Sequence, residues 1–552
     1  MSTASALEQA GAFAPNPPGP GSPAGHSPAG RHSPVGRRLA LAAAFVFAGA
    51  GLFALYLLQA RTVPGNSDGA SNVLQAWSML HGNVLLRGWS LSDVSFYTTE
   101  LPQYLLVAAA RGLTSDVVPI AAATTYTVLV LLSALLARGR RTGREGAAAA
   151  LIAGGIMAAP SLGTGSLVLL GNPDHTGTQV LLLATWLILD RARPSWRVPV
   201  AVALVLGCAQ VADPLARYEG VLPLLAVCAM RMYARRGPLR GQWYELSLAA
   251  ATAGSAAAAA VVLEAVRHAG GFAAATVVMD FAQIGALSDH VWISVQSVLL
   301  LFGADFSGMV LGPGAVVALV HLAGVVLAGW AAAIAVRRFW HLDLVGQVLL
   351  VTLAVLLLAY LFGARSAYLY NVHEIAGVLP VGAVLAGRLL AGRVIRAGLV
   401  PALTGVLACY LAVLAVQAVH KPASSDQRAV ASWLVAHHLK YGLAGYWYAS
   451  SVTVDSGNRV QVRPVARTGP RTLALDPWES QASWYDGRLH DASFVIEPRW
   501  PGKCFTIGCL RRAPQALFGR PAAVYRVRDL LVLVWHKNLL DVRLSRIPPQ
   551  VP

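Results

Sequence analysis

The fold is decided by the apolar run LALAAAFVFAGAGLFALYLLQA at residues 39–60, which is followed by the polar segment PGNSDGASNVLQAWSMLHGN at residues 64–83. The run is uncharged and matches the roughly 20 residues that a helix needs to cross the hydrocarbon core of a bilayer. It is too long, and too far from the start of the chain, for the apolar part of a cleaved signal peptide. We therefore predict an uncleaved first transmembrane helix after a disordered, cytoplasmic, Pro- and Gly-rich tail at 1–38.

Similar apolar runs recur along most of the chain after residue 60. The 552 residues are 56% hydrophobic and 12% charged, a composition typical of a multi-pass membrane protein rather than a soluble one. Two shorter apolar stretches, 103–113 and 291–304, are predicted to be juxtamembrane helices. About eleven spans are predicted, at 39–60, 117–137, 146–169, 176–191, 197–212, 218–233, 244–266, 313–336, 344–362, 374–391 and 397–419.

The net charge of +17 predicts an orientation in the membrane. In a soluble protein it would suggest nucleic acid as a partner, but here the arginines cluster in alternate short connections between apolar runs. This is the positive-inside pattern, and it predicts a cytoplasmic N-terminus and an outer C-terminus. Examples of the basic connections are Arg37 and Arg38, Arg138 to Arg144, Arg191 to Arg197, Arg231 to Arg240, and Arg388 to Arg396.

The last part of the chain, residues 421–552, differs from the rest. SWLVAHHLKYG predicts a helix, whereas LAGYWYASSVTVDSGNRVQVRPV and DASFVIEPRW contain strand-like alternation between Gly and Pro turns. We predict a small extracytoplasmic α/β domain after a transmembrane domain at 39–420. In an oxidising compartment Cys504 and Cys509 can form a small-loop disulfide, and two cysteines alone do not make a zinc site.

Ionisable residues collect in the connections predicted to face outward. At helix ends such groups are costly unless they meet water, a partner or a ligand, so their convergence predicts one polar cavity that opens outward. We interpret the acids and His290 of the long loop 267–312 as solvated surface. The remaining members are Asp68, Asp93 and Glu100 in the first loop (61–116), Asp174 and His175, Asp213, Arg217 and Glu219, and Arg365, His373 and Glu374.

Within the first loop, Ser67 is predicted to cap a helix that ends at Gly82 and Asn83, which places Asp68 in its first turn. With an acidic residue directly after its first span, the chain resembles the GT-C superfamily of membrane glycosyltransferases. The resemblance is to members of actinobacterial type. The superfamily's protein-mannosyltransferase, aminoarabinose-transferase and lipopolysaccharide glycosyltransferase-like branches come closest. TELPQYLLVA (99–108) is similar to the family's proline-containing segment, although Leu101 replaces the first proline. Asp174 in NPDHTG and the segment YLYNVHEIAGVLP (368–380) match two further family features.

The resemblance implies a glycosyltransferase of the cytoplasmic membrane that uses a polyprenyl-phosphate sugar and acts on an outer-face glycan, lipid or protein. Such a donor is already activated, so the enzyme needs a general base for the acceptor hydroxyl and cations for the departing phosphate. Asp68 is the predicted base, and Arg365, His373 and Arg217 suit the phosphate. Glu100, Asp174, His175, Glu219 and Glu374 complete the predicted binding site, with no metal ligands among them. No nucleotide-binding motif is found, and a divalent metal requirement stays open.

Plainer interpretations remain beside these. Asp68 also favours the start of a helix through the helix dipole, and Asn-Pro-Asp before His175 is good turn chemistry. A secondary transporter or flippase is the first alternative, although such proteins usually carry internal repeats and charges at the bilayer midplane, neither of which is visible here. A non-catalytic membrane scaffold is the second alternative.

Overall fold

The structure is a computed structural model that describes residues 34–235, 239–275, 280–422, 425–469, 471–500, 510, 512–542 and 544–546. Cys504 and Cys509, and most of the predicted N-terminal tail, lie outside these residues. The chain divides into two compact units, residues 1–48 and residues 49–552. The described part of the first unit is the start of a helix, and the second unit contains everything discussed below.

Helices dominate residues 34–420. Several of them end at glycine in a left-handed backbone conformation, as at Gly112 and Gly139. The helices are α1 (Pro34–Ala60), α2 (Ser67–Leu80), α3 (Glu100–Arg111), α4 (Val117–Arg138), α5 (Gly143–Met157), α6 (Thr164–Leu170), α7 (Thr176–Arg191), α8 (Arg197–Ala212), α9 (Leu222–Arg235), α10 (Trp243–His268), α11 (Leu287–Leu301), α12 (Pro313–Arg337), α13 (Leu344–Phe362), α14 (Val378–Arg396) and α15 (Val400–Ala418).

Among the described residues, eight helices are long and apolar enough to cross a membrane. Seven of them coincide with predicted spans. The eighth, at 284–301, covers most of the stretch 291–304 that was predicted to be juxtamembrane. The predicted spans 176–191 and 197–212 are present as the helices α7 and α8, and 218–233 is present as α9 after one π-helical turn, but these three are shorter. The prediction of a multi-pass helical membrane protein is confirmed.

The predicted span 146–169 is wrong as a single helix. The chain leaves the helical conformation after Met157 and resumes it at Thr164, which gives the separate helices α5 and α6. Pro160 lacks a backbone N–H and disfavours a helical residue before it, and Gly163 adopts a positive φ of 82°. Together these two residues break the helix.

The C-terminal region is α/β, as predicted, and its centre is a seven-stranded mixed sheet of order β10-β5-β4-β3-β7-β9-β8. β3 pairs in parallel with both β4 and β7. The helices are α16 (Asp426–Ala436), α17 (Tyr446–Asp455) and α18 (Ala513–Phe518). The strands of this sheet are β3 (Tyr441–Ala444), β4 (Gln461–Gly469), β5 (Thr472–Leu475), β7 (Phe494–Pro498), β8 (Ala523–Val527), β9 (Leu530–Val534) and β10 (Ser545–Arg546).

Residues 446–455, predicted to be strand-like, form the helix α17 instead. Alternating Tyr, Val and Thr residues favour a strand locally, but tertiary packing overrides that preference. Seven of the ten residues of α17 are buried, because the helix packs on β4 and also on α2 of the first loop.

A second, three-stranded sheet joins the C-terminal region to the loops at the ends of the membrane helices. Its central strand is β1 (Trp89–Leu91) of the first loop, which pairs with β2 (Ala273–Ala274) on one side and β6 (Ser480–Gln481) on the other. Trp89 and Trp484 add an edge-to-face ring contact at 5.0 Å. The first loop, the loop after α10 and the C-terminal region therefore share one face of the molecule.

Candidate active site

Helix α2 carries Asp68 in its first turn. The N-cap is Asn66, whose side-chain oxygen accepts a hydrogen bond from the Gly69 N–H at 2.9 Å. The prediction that Ser67 is the cap is therefore wrong. Ser67 is the first helical residue, and its buried hydroxyl donates to the backbone carbonyl of Tyr446 at 2.6 Å. α2 is thus fastened to the C-terminal region beside Asp68.

Two residues of the C-terminal region meet Asp68. The hydroxyl of Tyr446 lies 2.6 Å from Asp68 Oδ1 and 2.6 Å from Glu479 Oε2. Tyr446 and Glu479 are buried, and Asp68 is partly buried. Burial raises the pKa of Asp68, although the hydrogen bond from Tyr446 opposes the rise. Burial and the neighbouring charge of Asp68 raise the pKa of Glu479 well above its usual range.

The backbone at two residues of this region is strained. Glu479 has φ of 47° and His175 has φ of 58°, both in the left-handed region that non-glycine residues rarely adopt. Such conformations persist only where surrounding contacts impose them, and they cluster at functional sites.

Asp174 lies close to Asp68 in the turn before α7. Its carboxylate accepts hydrogen bonds from the side-chain amides of Asn172 at 2.5 Å and Asn72 at 3.5 Å. Burial and the charge of Asp68 raise the pKa of Asp174 to about 7. The structure therefore brings together the two acids that the sequence assigns to different loops.

Glu100 begins α3 and is fully buried. Thr99 donates a hydrogen bond to Glu100 Oε2, and Glu100 Oε1 has no partner among the described residues. Burial raises the pKa of Glu100 well above its usual range, which favours the neutral form of this carboxyl group. On the same helix the hydroxyl of Tyr104 is also buried without a described partner, near the carboxyl groups of Asp68, Asp174 and Glu479.

His175 lies beside the buried carboxylate of Asp213. Its Nδ1 lies 2.8 Å from Asp213 Oδ2, and Asp213 also accepts hydrogen bonds from the Thr178 hydroxyl and the Leu215 N–H. Burial alone would lower the pKa of His175, but the charge and hydrogen bond of Asp213 outweigh it and raise the pKa to about 10. The ring of His373 stacks on that of His175, with centroids 5.4 Å apart.

The other predicted site residues behave differently from one another. Glu219 is buried and accepts a hydrogen bond from Gln179, one turn into α7. The charge of Glu374 reaches His175 and helps to raise its pKa. Arg217 is exposed, and its guanidinium makes no ion pair with the described residues. The side chain of Arg365 is not among the side chains that the structure describes.

Four functional candidates were missed at the level of sequence. Asp213 belongs to the predicted outward-facing set but was not assigned to the site. Tyr446 stands in a segment interpreted as domain core, and neither Glu479 nor Tyr104 has a local signal that marks it. Across the described ranges, no group of three or more His, Cys, Asp or Glu side chains is arranged to hold a metal ion.

No protein-family model and no curated protein sequence matches the chain. Among solved structures, ArnT from Cupriavidus metallidurans bound to undecaprenyl phosphate is similar with a TM-score of 0.51 and 13% identity, over 90% of this chain and 98% of that one. AglB, an oligosaccharyltransferase from Archaeoglobus fulgidus, was solved in complex with an inhibitory peptide and a dolichol-phosphate. It is 11% identical with a TM-score of 0.45, over 91% of this chain and 76% of that one. The similarity to ArnT over nearly the full length of both chains confirms, at the level of the fold, the predicted resemblance to GT-C membrane glycosyltransferases.

Proposed function

We propose that the protein is a glycosyltransferase that moves a sugar from a polyprenyl-phosphate-linked donor to an acceptor on the outer face of the cytoplasmic membrane. The acceptor belongs to the cell envelope and is a glycan, a lipid or a protein. The observation that carries the proposal is the carboxyl cluster around Asp68, which lies where the first loop meets the C-terminal region. The fold shared with ArnT, a structure solved with undecaprenyl phosphate, agrees with it.

In the proposed reaction the acceptor oxygen attacks the anomeric carbon of the sugar. The bond from that carbon to the phosphate oxygen breaks, and the electron pair leaves with the polyprenyl phosphate. The acceptor proton passes to the carboxylate of Asp68, which acts as general base. Because Asp68 begins a helix and keeps some exposure, it can be ionised and still reach a bound hydroxyl.

The departing phosphate needs positive charge near the membrane surface. His175 is a cation at neutral pH, since its pKa is about 10, and His373 extends the same ring stack. Arg217 supplies an exposed guanidinium at the start of the π-helical turn that leads into α9. We assign His175 and Arg217 to the phosphate, Asp174 to the sugar or acceptor hydroxyls, and the buried Glu100 to the floor of the site.

The test is transfer of labelled sugar from a panel of polyprenyl-phosphate hexoses and pentoses by membranes that contain the wild type or Asp68→Asn. We expect Asp68→Asn to lower transfer by about 100-fold or more, the scale of general-base catalysis, at unchanged abundance. Asp289→Asn, which changes an exposed acid far along the chain, is the matched control and should transfer normally.

Two outcomes contradict the proposal in different ways. If Asp68→Asn transfers sugar normally, the base is elsewhere and Asp174 is the next candidate. If the wild type uses no donor in the presence of envelope acceptors, the transporter and scaffold alternatives replace the enzyme, and a lipid-flipping assay on the same membranes decides between them.

A further inference from the structure

The hydroxyl of Tyr446 lies between two carboxyl groups. The Tyr446 oxygen lies 2.6 Å from one carboxyl oxygen of Asp68 and 2.6 Å from one of Glu479. A phenol has one hydrogen to donate, and an ionised carboxylate has none. Two separate hydrogen bonds of this length form only if at least one of the two carboxyl groups is protonated and donates to the Tyr446 oxygen.

We propose that Asp68, Tyr446 and Glu479 form a proton-sharing triad in which Glu479 holds the proton and Tyr446 donates to an ionised Asp68. In this arrangement Glu479 O–H donates to the Tyr446 oxygen, and Tyr446 O–H donates to Asp68 Oδ1. The inference rests on the proposed function, because it assigns Glu479 as a positioning residue for the base. Through it, the C-terminal region sets the protonation state of Asp68.

The surroundings decide which carboxyl group holds the proton. Glu479 is 3% exposed, whereas Asp68 is partly exposed, and burial disfavours the charged form. Asp68 also lies in the first turn of α2, where the helix dipole favours negative charge. Both effects place the charge on Asp68 and the proton on Glu479. The raised pKa of Glu479 agrees with this assignment.

The conformation of Glu479 also supports a positioning role. Its positive φ turns the chain directly before β6, which is paired with β1 of the first loop through Ser90 and Ser480. The Ser480 hydroxyl holds the turn by donating to the carbonyl of Asp476 at 2.8 Å. The sheet that anchors the C-terminal region thus also delivers the carboxyl group of Glu479 to Tyr446.

Other titratable groups face the triad and enter any pH profile. Asp174 comes from the turn before α7, with a pKa of about 7, and Glu100 and Tyr104 come from α3. His175 lies beyond Asp174. All variants used in the test keep these groups, so a difference between profiles reports the triad alone.

The first measurement is the pH profile of sugar transfer by Glu479→Gln. The glutamine amide donates to the Tyr446 oxygen in place of the acid, so Glu479→Gln should retain more transfer at neutral pH than Glu479→Ala, which cannot donate. In the wild type the shared proton is lost at high pH, which leaves two facing carboxylates, and transfer falls. Glu479→Gln has no such proton, so this high-pH fall should disappear. Glu497→Gln, which changes a buried acid of β7 outside the triad, should keep the wild-type profile.

Two further variants test whether Tyr446 links Glu479 to Asp68. Tyr446→Phe breaks the chain of hydrogen bonds and should lower transfer by about 10- to 100-fold. Tyr446→Phe combined with Glu479→Ala should be no worse than Tyr446→Phe alone, since the groups act as a unit. The triad is overturned if Glu479→Gln keeps the high-pH fall or loses as much transfer as Glu479→Ala. It is also overturned if the loss in the double variant equals the product of the losses caused by Tyr446→Phe and Glu479→Ala separately.

An infrared readout separates this inference from the proposed function. The purified full-length protein, without any sugar donor, should show neutral carboxyl absorption at pH 7 that contains one component missing in Glu479→Gln. In Asp68→Asn the same band should titrate at lower pH, because the neighbouring charge is gone. Spectra are taken in a Glu497→Gln background, since the pKa of Glu497 is about 8. If no band depends on Glu479, the triad is wrong. If the band behaves as described and no donor is used, the triad stands and the proposed function fails.

Discussion

At the scale of single residues, the charge of His175 depends on one buried carboxylate. The pKa of His175 lies near 10, above its ordinary value of 6.5, so the stabilisation from its protonated form is complete below pH 6.5 and is lost as pH rises through 10. The pKa of Asp213 is lowered, because its contacts with His175 and the donors of Thr178 and Leu215 outweigh burial. Its contribution is present above pH 3.8 and is lost as pH falls through the lowered pKa.

We expect Asp213→Asn to make His175 neutral at pH 7, since burial is then opposed only by the weaker influence of Asp174 and Glu374. Breaking a buried ion pair should also cost about 3 kcal/mol of folding free energy. Nitrogen-15 histidine NMR against pH measures the first effect, and thermal unfolding in detergent measures the second. Asp289→Asn is the exposed control. A His175 that stays protonated at pH 8 in Asp213→Asn would contradict this account.

At the scale of elements, α3 and α7 meet at a glycine. A Cβ at Gly177, in the first turn of α7, would lie 2.3 Å from Oε1 of Glu100 and 2.7 Å from its carboxyl carbon. No rotation of the new methyl group relieves this contact, so Glu100 itself must move away from α7. The absence of a side chain at residue 177 is therefore what allows Glu100 to lie against α7.

Gly177→Ala should push Glu100 toward Asp174 and lower sugar transfer by about 10-fold or more, because small displacements in a site are costly. Gly207→Ala is the matched control: it lies in α8, and its Cβ would meet no atom within 4 Å. Initial rates of both variants, at equal abundance in the membrane, give the comparison. Equal rates for the two variants would show that the position of Glu100 is unimportant.

Some elements could be predicted from sequence and others could not. The bounds of α7 and α8 follow from apolar runs between polar residues, and they are confirmed. The break between α5 and α6 was missed because Pro160 lies within an otherwise continuous apolar run. Helix α17 was missed because its residues favour a strand locally. Packing between β4 and α2 stabilises the helix more than this local preference stabilises a strand. Apolar periodicity thus reports lipid and core contacts, but it does not report which distant element covers a segment.

At the scale of the whole molecule, the three-stranded sheet fastens the C-terminal region to the membrane helices. Its central strand contains Ser90, paired with Ala273 and Ser480. Proline is incompatible with a central strand because it lacks the N–H and fits only at edges. Ser90→Pro should therefore loosen the C-terminal region, whereas Ser90→Thr, with a good strand former, should not.

Limited proteolysis of the two Ser90 variants in membranes checks this expectation. Ser90→Pro should be cut faster within residues 471–500 and should lose sugar transfer, because Glu479 is no longer held at Tyr446. Ser90→Thr should resemble the wild type in both assays. If Ser90→Pro resists protease like the wild type, the sheet is dispensable and the contacts of α17 with α2 suffice.

The sequence could predict only half of the candidate site, because the other half depends on how the C-terminal region docks. Asp68, Asp174 and His175 lie at helix ends that arginine bias assigns to one side, and in the structure Asp174 is close enough to feel the charges of both Asp68 and His175. Tyr446 and Glu479 reach the same place only through the docking of the C-terminal region. No local pattern in GYWYAS or in the turn at 476–480 encodes that docking.

The hydrogen bond between Asp68 and Tyr446 joins two residues that are synthesised at different times. The two residues are 378 positions apart, and a ribosome that adds about 5–20 residues per second needs roughly 20–75 seconds to travel between them. During that interval the nascent chain contains Asp68 but not yet Tyr446 or Glu479. A copy released early would therefore carry the proposed base without the two residues proposed to set its protonation state. If the triad acts as proposed, the site is complete only after the C-terminal region has been synthesised.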